Sequence, residues 1–262
     1  MTGADAPERR GGLAGLLERF SPDKAALAAG LIGLMAGGGA VAVATGQLDR
    51  GPADRAGVEA IVRDYILNHP EILPEAMERL QARTAAQAVS AHRAQLEAPF
   101  AGAWAGAENG DVVLVEFFDF ACPYCRKSNL DVERLLREDD KLKVVWRDWP
   151  VLGPDSEIAA QVSLAAAKQG QFRKFHDHLF ALGRPTAATI AQAQQAVGIS
   201  DGQLAELRGS GAARAELAKN YELARAVNAT GTPTFVIGDQ VLQGAVGYEA
   251  LKAAIADARA KA

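Results

Sequence analysis

Apolar residues cluster along the chain in two rhythms. Val112-Val113-Leu114-Val115-Glu116-Phe117-Phe118 is apolar at nearly every position. A strand buried on both faces is read this way, so a central strand is predicted over Asp111 to Asp119, with Glu116 as its exception. Lys143 to Trp149 reads as a second strand, stopped by Pro150, and Thr234 to Ile237 and Gln240 to Leu242 as two shorter ones. Between them the rhythm lengthens to that of helices. Leu130, Val132, Leu135 and Leu136 mark a helix from Cys122 to about Glu138. An Ala-, Gln- and Leu-rich helical block runs from about Asp155 to Val227, and a last helix starts at Tyr248.

Upstream, residues 56–97 read as helix with one interruption. Val58, Ile61, Val62, Tyr65 and Ile66 make the first apolar stripe; Ile72, Leu73, Met77 and Leu80 continue it. Asn68-His69-Pro70-Glu71 between them is predicted to stop and restart the helix, with Asn68 as N-cap and Glu71 closing a capping box. An amphipathic helix outside the main core has to bury its stripe on its own catalytic domain or on a partner chain, so residues 56–97 are a candidate homo-oligomerisation segment.

Earlier still, Ala25 to Thr45 is an uncharged stretch of 21 residues, long enough to span a bilayer, although it is mostly Ala and Gly. One reading is an uncleaved membrane anchor with Gly33 and Gly37 as a small-residue contact face. The other is a signal peptide cut after Ala42-Val43-Ala44. The 24-residue leader and the length of the run favour the anchor. In the leader, Leu13, Leu16, Leu17 and Phe20 have helical spacing, but an ordinary cytoplasmic tail is the simpler reading. The expected order is therefore a leader (1–24), an anchor or signal segment (25–45), a linker with a helical extension (46–98) and a catalytic domain (99–262).

Composition narrows the class. The 262 residues are 49% hydrophobic, enough for a substantial core, and 28 basic against 32 acidic side chains give no nucleic-acid footprint. Only two cysteines occur, in Cys122-Pro123-Tyr124-Cys125 directly after the first strand. Such a dithiol is a reversible disulfide, half of a metal site or an accident. A strand feeding straight into a helix places Cys122 at the helix N-terminus, where orphan N–H groups and the dipole favour a thiolate. Cys125, one turn further in, faces the core and stays protonated. That asymmetry suits thiol–disulfide exchange. The metal alternative needs His176 and His178 to complete a Cys2His2 set. They flank a helix whose Phe172, Phe175, Leu179 and Phe180 have core spacing, and their rings point about 200° apart, so no metal is expected. His69 beside a helix cap and His92 on a polar face suggest no catalysis.

Phe118-Asp119-Phe120-Ala121-Cys122-Pro123-Tyr124-Cys125 resembles the active-site segment of the DsbA-like thiol:disulfide oxidoreductases, a branch of the thioredoxin superfamily. Thr230-Gly231-Thr232-Pro233-Thr234-Phe235-Val236-Ile237-Gly238 resembles the same family's cis-proline loop and following strand. The two motifs stand about 110 residues apart, in the family's order, and the resemblance covers roughly Pro99 to Ala262. It implies an α/β thioredoxin fold with a helical insertion at about 155–227 capping the active-site face. It implies a cis bond before Pro233, a Thr232 that touches the exposed cysteine, and a buried acid, Glu116, that shuttles the proton of Cys125. It also implies cysteine-containing protein substrates, a membrane partner that resets the dithiol, and a site in the bacterial envelope outside the inner membrane. The chain carries no flavin, quinone or nicotinamide signature, so no cofactor is expected. Pro123-Tyr124 lacks the His that helps the strongly oxidising members, so a disulfide donor of lower potential is expected. An oligomeric isomerase or reductase, or a thiol-dependent copper-binding protein, are the alternatives.

Overall fold

A computed structural model describes residues 52–261. The leader and the stretch 25–45, and with them the anchor and signal readings, lie outside the described residues. Among the described residues no helix is long and apolar enough to cross a membrane. The chain divides into two units, one ending at Leu73 and one starting at Pro74.

The described part of the first unit is helix α1 (Pro52–Asn68) and the turn into α2 (Ile72–Glu97). The restart differs from the expected capping box. Asn68 is the last residue of α1, whose end is closed by His69 N–H donating to Tyr65 O at 2.8 Å. His69 precedes a proline, where the helical conformation is disfavoured, so the chain leaves the helix there and not one turn earlier. Glu71 turns its carboxylate to His69 Nδ1, at 3.2 Å, instead of to a backbone N–H. Val58, Ile61, Val62, Tyr65 and Leu67 of α1 are all at least half exposed.

The second unit is a thioredoxin-like α/β fold. Its five strands are β1 (Trp104–Gly106), β2 (Val112–Phe118), β3 (Leu142–Asp148), β4 (Thr234–Ile237) and β5 (Gln240–Gln243), in the order β1-β3-β2-β4-β5. Only the β2–β3 pair is parallel, so the sheet is mixed. Helix α3 (Pro123–Glu138) makes the crossover from β2 to β3. The helices α4 (Pro154–Lys168), α5 (Phe172–Leu182), α6 (Ala187–Ala196), α7 (Asp201–Gly209) and α8 (Ala212–Ala226) lie between β3 and β4, and α9 (Tyr248–Lys261) follows β5. The three-residue strand β1 is too short to show a period and was not expected.

Strand alternation sends β2 into two cores. Leu114 and Phe118 pack with Val144, Trp146, Phe235 and residues of α3, α4, α5 and α9. Val115 and Phe117 face the other way, onto Val145, Val236, Leu223 and Ala224 of α8, and Val89 and Leu96 of α2. The second half of α2 therefore belongs to the core of this unit, further into the fold than the extension 46–98 anticipated. Arg147 secures it. The guanidinium is almost wholly buried and donates to the carbonyls of Gln95, of Leu96 (3.0 Å) and of Ala98 (2.7 Å), to Glu216 Oε1 (3.1 Å) and to Asn220 Oδ1 (2.8 Å). A buried cation is tolerated only when its donors are met in this way.

Candidate active site

Phe118 ends β2, and Asp119 makes the turn into α3. Its carboxylate accepts Ala121 N–H at 2.7 Å while its own carbonyl accepts Cys122 N–H at 3.0 Å. Cys122 is the N-cap of α3, in extended conformation, and Pro123 occupies the first turn, where no N–H is missed. The cap is the sulfur itself. Cys125 N–H donates to Cys122 Sγ at 3.3 Å, and Cys122 Sγ lies 3.2 Å from Thr232 O. Both cysteines are free thiols, and both are buried, Cys122 at 3% exposure and Cys125 at 1%.

Their environments drive the two thiols apart. A hydrogen bond from the Cys125 side chain pulls Cys122 down to about 6; burial opposes it, and the Thr232 side chain and the N–H groups of Cys125 and Tyr124 add to it. Burial pushes Cys125 far up, as do its hydrogen bond to Cys122 and the charge of Glu116. At neutral pH Cys122 is largely thiolate and Cys125 is thiol.

Glu116 lies on the same face of β2 as Leu114 and Phe118, fully inside. Its register partner on β3 is Trp146, whose indole Nε1 donates to Glu116 Oε2 at 3.0 Å. Desolvation raises the Glu116 carboxyl to about 8, against the Trp146 hydrogen bond and with help from charge on Cys122. It is therefore an acid that holds a proton near neutrality.

The Thr232–Pro233 peptide is cis, and Gly244 N–H donates to Pro233 O at 2.8 Å. Of the expected site residues, Cys122, Cys125 and Thr232 are in direct contact, and Glu116 is coupled to both sulfurs through charge.

Three features were not anticipated. Asp119 Oδ2 also accepts the N–H groups of Val151 and Leu152, at 2.8 and 2.9 Å, which clamps the loop after β3 to the active-site turn. Val151, Leu152 and Tyr124 keep large apolar surfaces exposed. His176 does not flank its helix: it is 1% exposed, among the rings of Phe118, Phe120, Trp146, Phe172 and Phe180, with Nδ1 2.9 Å from Asp177 Oδ1. Burial lowers its proton affinity. The spacing Phe172, His176, Phe180 is a helical stripe that held this information.

A thioredoxin-like sheet presenting a helix-capping thiolate, a buried partner thiol and a cis-proline loop defines the class of thiol–disulfide oxidoreductases. The chain belongs to the family of the DSBA-like thioredoxin domain, whose model matches residues 113–256. A second family model, the copper resistance protein ScsC N-terminal domain, matches residues 54–87. Among solved structures, a linker-deleted variant of Proteus mirabilis ScsC is 28% identical, with a TM-score of 0.63 over 82% of this chain and 100% of that one. A thioredoxin-like oxidoreductase from Silicibacter pomeroyi is 35% identical, with a TM-score of 0.58 over 61% of this chain and 92% of that one. Among curated proteins, a Na(+)/H(+) antiporter, NhaA 3 of Salinispora tropica, is 32% identical over 166 residues, 60% of this chain. The chain spans only 24% of that relative's length.

Proposed function

We propose that the protein exchanges disulfides with cysteine-containing proteins through Cys122 and Cys125, as a disulfide donor in the bacterial periplasm, where a disulfide persists. The observation that carries this reading is the unequal pair: a sulfur held as thiolate at about pH 6 beside one held as thiol. In the oxidising direction a substrate thiolate attacks Cys122 Sγ and the Cys122–Cys125 bond breaks. Cys125 leaves with the electron pair and takes the proton of Glu116. A second substrate thiolate then attacks the substrate sulfur of the mixed disulfide and Cys122 departs as thiolate. The substrate is oxidised by two electrons and the pair is reduced by two. A membrane partner must reoxidise it, and residues 25–45 would keep the protein beside that partner as an anchor or bring it across as a signal. A stabilised Cys122 thiolate favours the reduced form and hence the donor direction. Stoichiometric oxidation of a reduced, cysteine-containing protein by the preoxidised chain tests this reading; oxidation no faster than with the Cys122→Ser chain would refute it.

A second reading, an oligomeric isomerase or reductase, draws on the apolar stripe of α1 and the start of α2. Ile61, Met77 and Leu80 are each 60% exposed or more, which is costly unless covered by other chains. We propose that this segment associates protomers. Light scattering of chains starting at residues 46 and 74 is expected to give an oligomer and a monomer; two monomers would end the idea. The cut falls before Val89 and Leu96 because those belong to the core.

The copper alternative draws on the description of the family matched at residues 54–87. Its soft-ligand set would be the two thiolates, and burial of Cys125 opposes the second of them. Stoichiometric, tight Cu(I) binding without turnover of protein thiols would favour it.

A further inference from the structure

Gln243 ends the edge strand β5 with an exposed side chain, a position at which a polar residue ordinarily answers only to solvent. Here its amide is engaged at both its oxygen and its nitrogen. Oε1 accepts Thr230 N–H at 3.1 Å and lies 3.2 Å from Thr230 Oγ1 and 2.9 Å from Thr234 Oγ1, while Nε2 donates to Asn228 O at 3.1 Å. The orientation of the amide is fixed by chemistry, because a backbone N–H only donates and a carbonyl only accepts; the flipped amide would lose both contacts. Thr234 is the register partner of Gln243 on β4, and its single hydroxyl proton is shared between Gln243 Oε1 and Gly231 O, the latter at 2.6 Å. The next residue, Gly244, donates its N–H to Pro233 O at 2.8 Å. Residues 228, 230, 231, 233 and 234 are thus all tied, directly or through Thr234, to Gln243 and Gly244. The residue they bracket is Thr232, whose carbonyl stands 3.2 Å from Cys122 Sγ.

We propose that Gln243 is a positioning residue for thiol–disulfide exchange: its side-chain amide fixes the loop 228–234 so that Thr232 stays seated on the sulfur of Cys122. This inference rests on the oxidoreductase reading above. Gln243 touches neither cysteine. It acts by removing the freedom of a loop whose one outward-reaching member meets the reacting atom, since a site is only as well placed as the shell that supports it. The Thr232 carbonyl accepts from the Cys122 thiol and favours the protonated form, whereas the Thr232 side chain favours the thiolate and, after the Cys125 side chain, is among the influences that lower Cys122, so loosening the loop is expected to raise the pH at which that thiolate forms.

The test is a pH titration of the Cys122 thiolate, by ultraviolet absorbance and by alkylation rate, in the reduced full chain and three variants. Gln243→Met keeps the length of the side chain and removes every polar contact. Its titration is expected to move up by about half a pH unit or more, a roughly threefold change in thiolate equilibrium, and exchange at pH 6 to fall by about twofold, the loss shrinking toward neutral pH where most of the thiolate persists. Gln240→Met is the control. It makes the same chemical change on the same strand, but its amide reaches Asp257 at 2.7 Å and not the loop, so the wild-type titration is expected. Should Gln243→Met not fold, Thr230→Val, which removes one of the partners, is expected to shift the titration in the same direction. A Gln243→Met curve superimposed on wild type, or an equal shift in Gln240→Met, would overturn the proposal. A wild-type chain that exchanges thiols while Gln243→Met matches it removes this inference alone. A wild-type chain without exchange removes the reading beneath it.

Discussion

Replacing Glu116 by Gln is expected to make the reduced protein more stable at neutral pH and a poorer catalyst. The carboxyl ionises at about 4.5 when solvated and at about 8 in the fold, because desolvation outweighs the Trp146 hydrogen bond. A group whose proton affinity is raised by folding gives its full stabilisation below pH 4.5 and loses it progressively as the pH rises through about 8. At pH 7 the folded protein must therefore hold Glu116 protonated while the unfolded chain releases that proton. The penalty is on the order of 3 kcal/mol. Gln carries no such penalty and keeps an oxygen for the indole. Chemical denaturation across pH is expected to show the Gln variant more stable by about 2–3 kcal/mol at pH 7, with the gap closing toward pH 4.5 and levelling off above pH 8. Exchange at neutral pH should fall about a hundredfold, roughly the lower end of what general acid catalysis supplies, because Cys125 no longer finds a proton as it leaves. Parallel stability curves for the two proteins would show that Glu116 titrates like a surface carboxylate.

The parts of this molecule that rest on local pattern were legible in the chain. The helix starting beside Cys122 follows from an apolar strand, a short turn and a proline placed where a helix tolerates it. Asp119 stood in plain view, yet its clamp on Val151 and Leu152 joins residues 32 and 33 positions away and depends on where the loop after β3 returns. Trp146 and Glu116 are 30 residues apart, and only the parallel register of β2 and β3 makes them partners. Gln243 is hidden for the same reason, since no local spacing connects it to residue 230. His176 was misplaced by its polarity: its neighbours Phe172 and Phe180 share its helical face, and an uncharged imidazole packs there as an aromatic ring. For residues 74–97 the periodicity leaves open whether the apolar side packs on the chain's own catalytic domain or on a partner, and it is the face of β2 carrying Val115 and Phe117 that takes Val89 and Leu96 as cover.

Cys122→Ser and Cys125→Ser are expected to fail in opposite ways. Without Cys122 the only thiol left is Cys125, which burial keeps protonated, so exchange should drop by about a thousandfold or more, as when an activated nucleophile is removed. Without Cys125, Cys122 still attacks, but no internal thiol resolves the mixed disulfide, and the adduct accumulates. In a Cys125→Ala chain, which unlike the Ser variant leaves no donor at this position, the pH at which attack becomes fast should also rise, because the Cys125 side chain is the largest influence holding Cys122 down. Intact mass of the Cys125→Ser chain after incubation with a disulfide-containing protein therefore tests the central claim most directly. The expected result is a one-to-one adduct on Cys122, reversed by reductant and absent from Cys122→Ser; no adduct, or equal adduct on both variants, would contradict the division of roles between the two sulfurs.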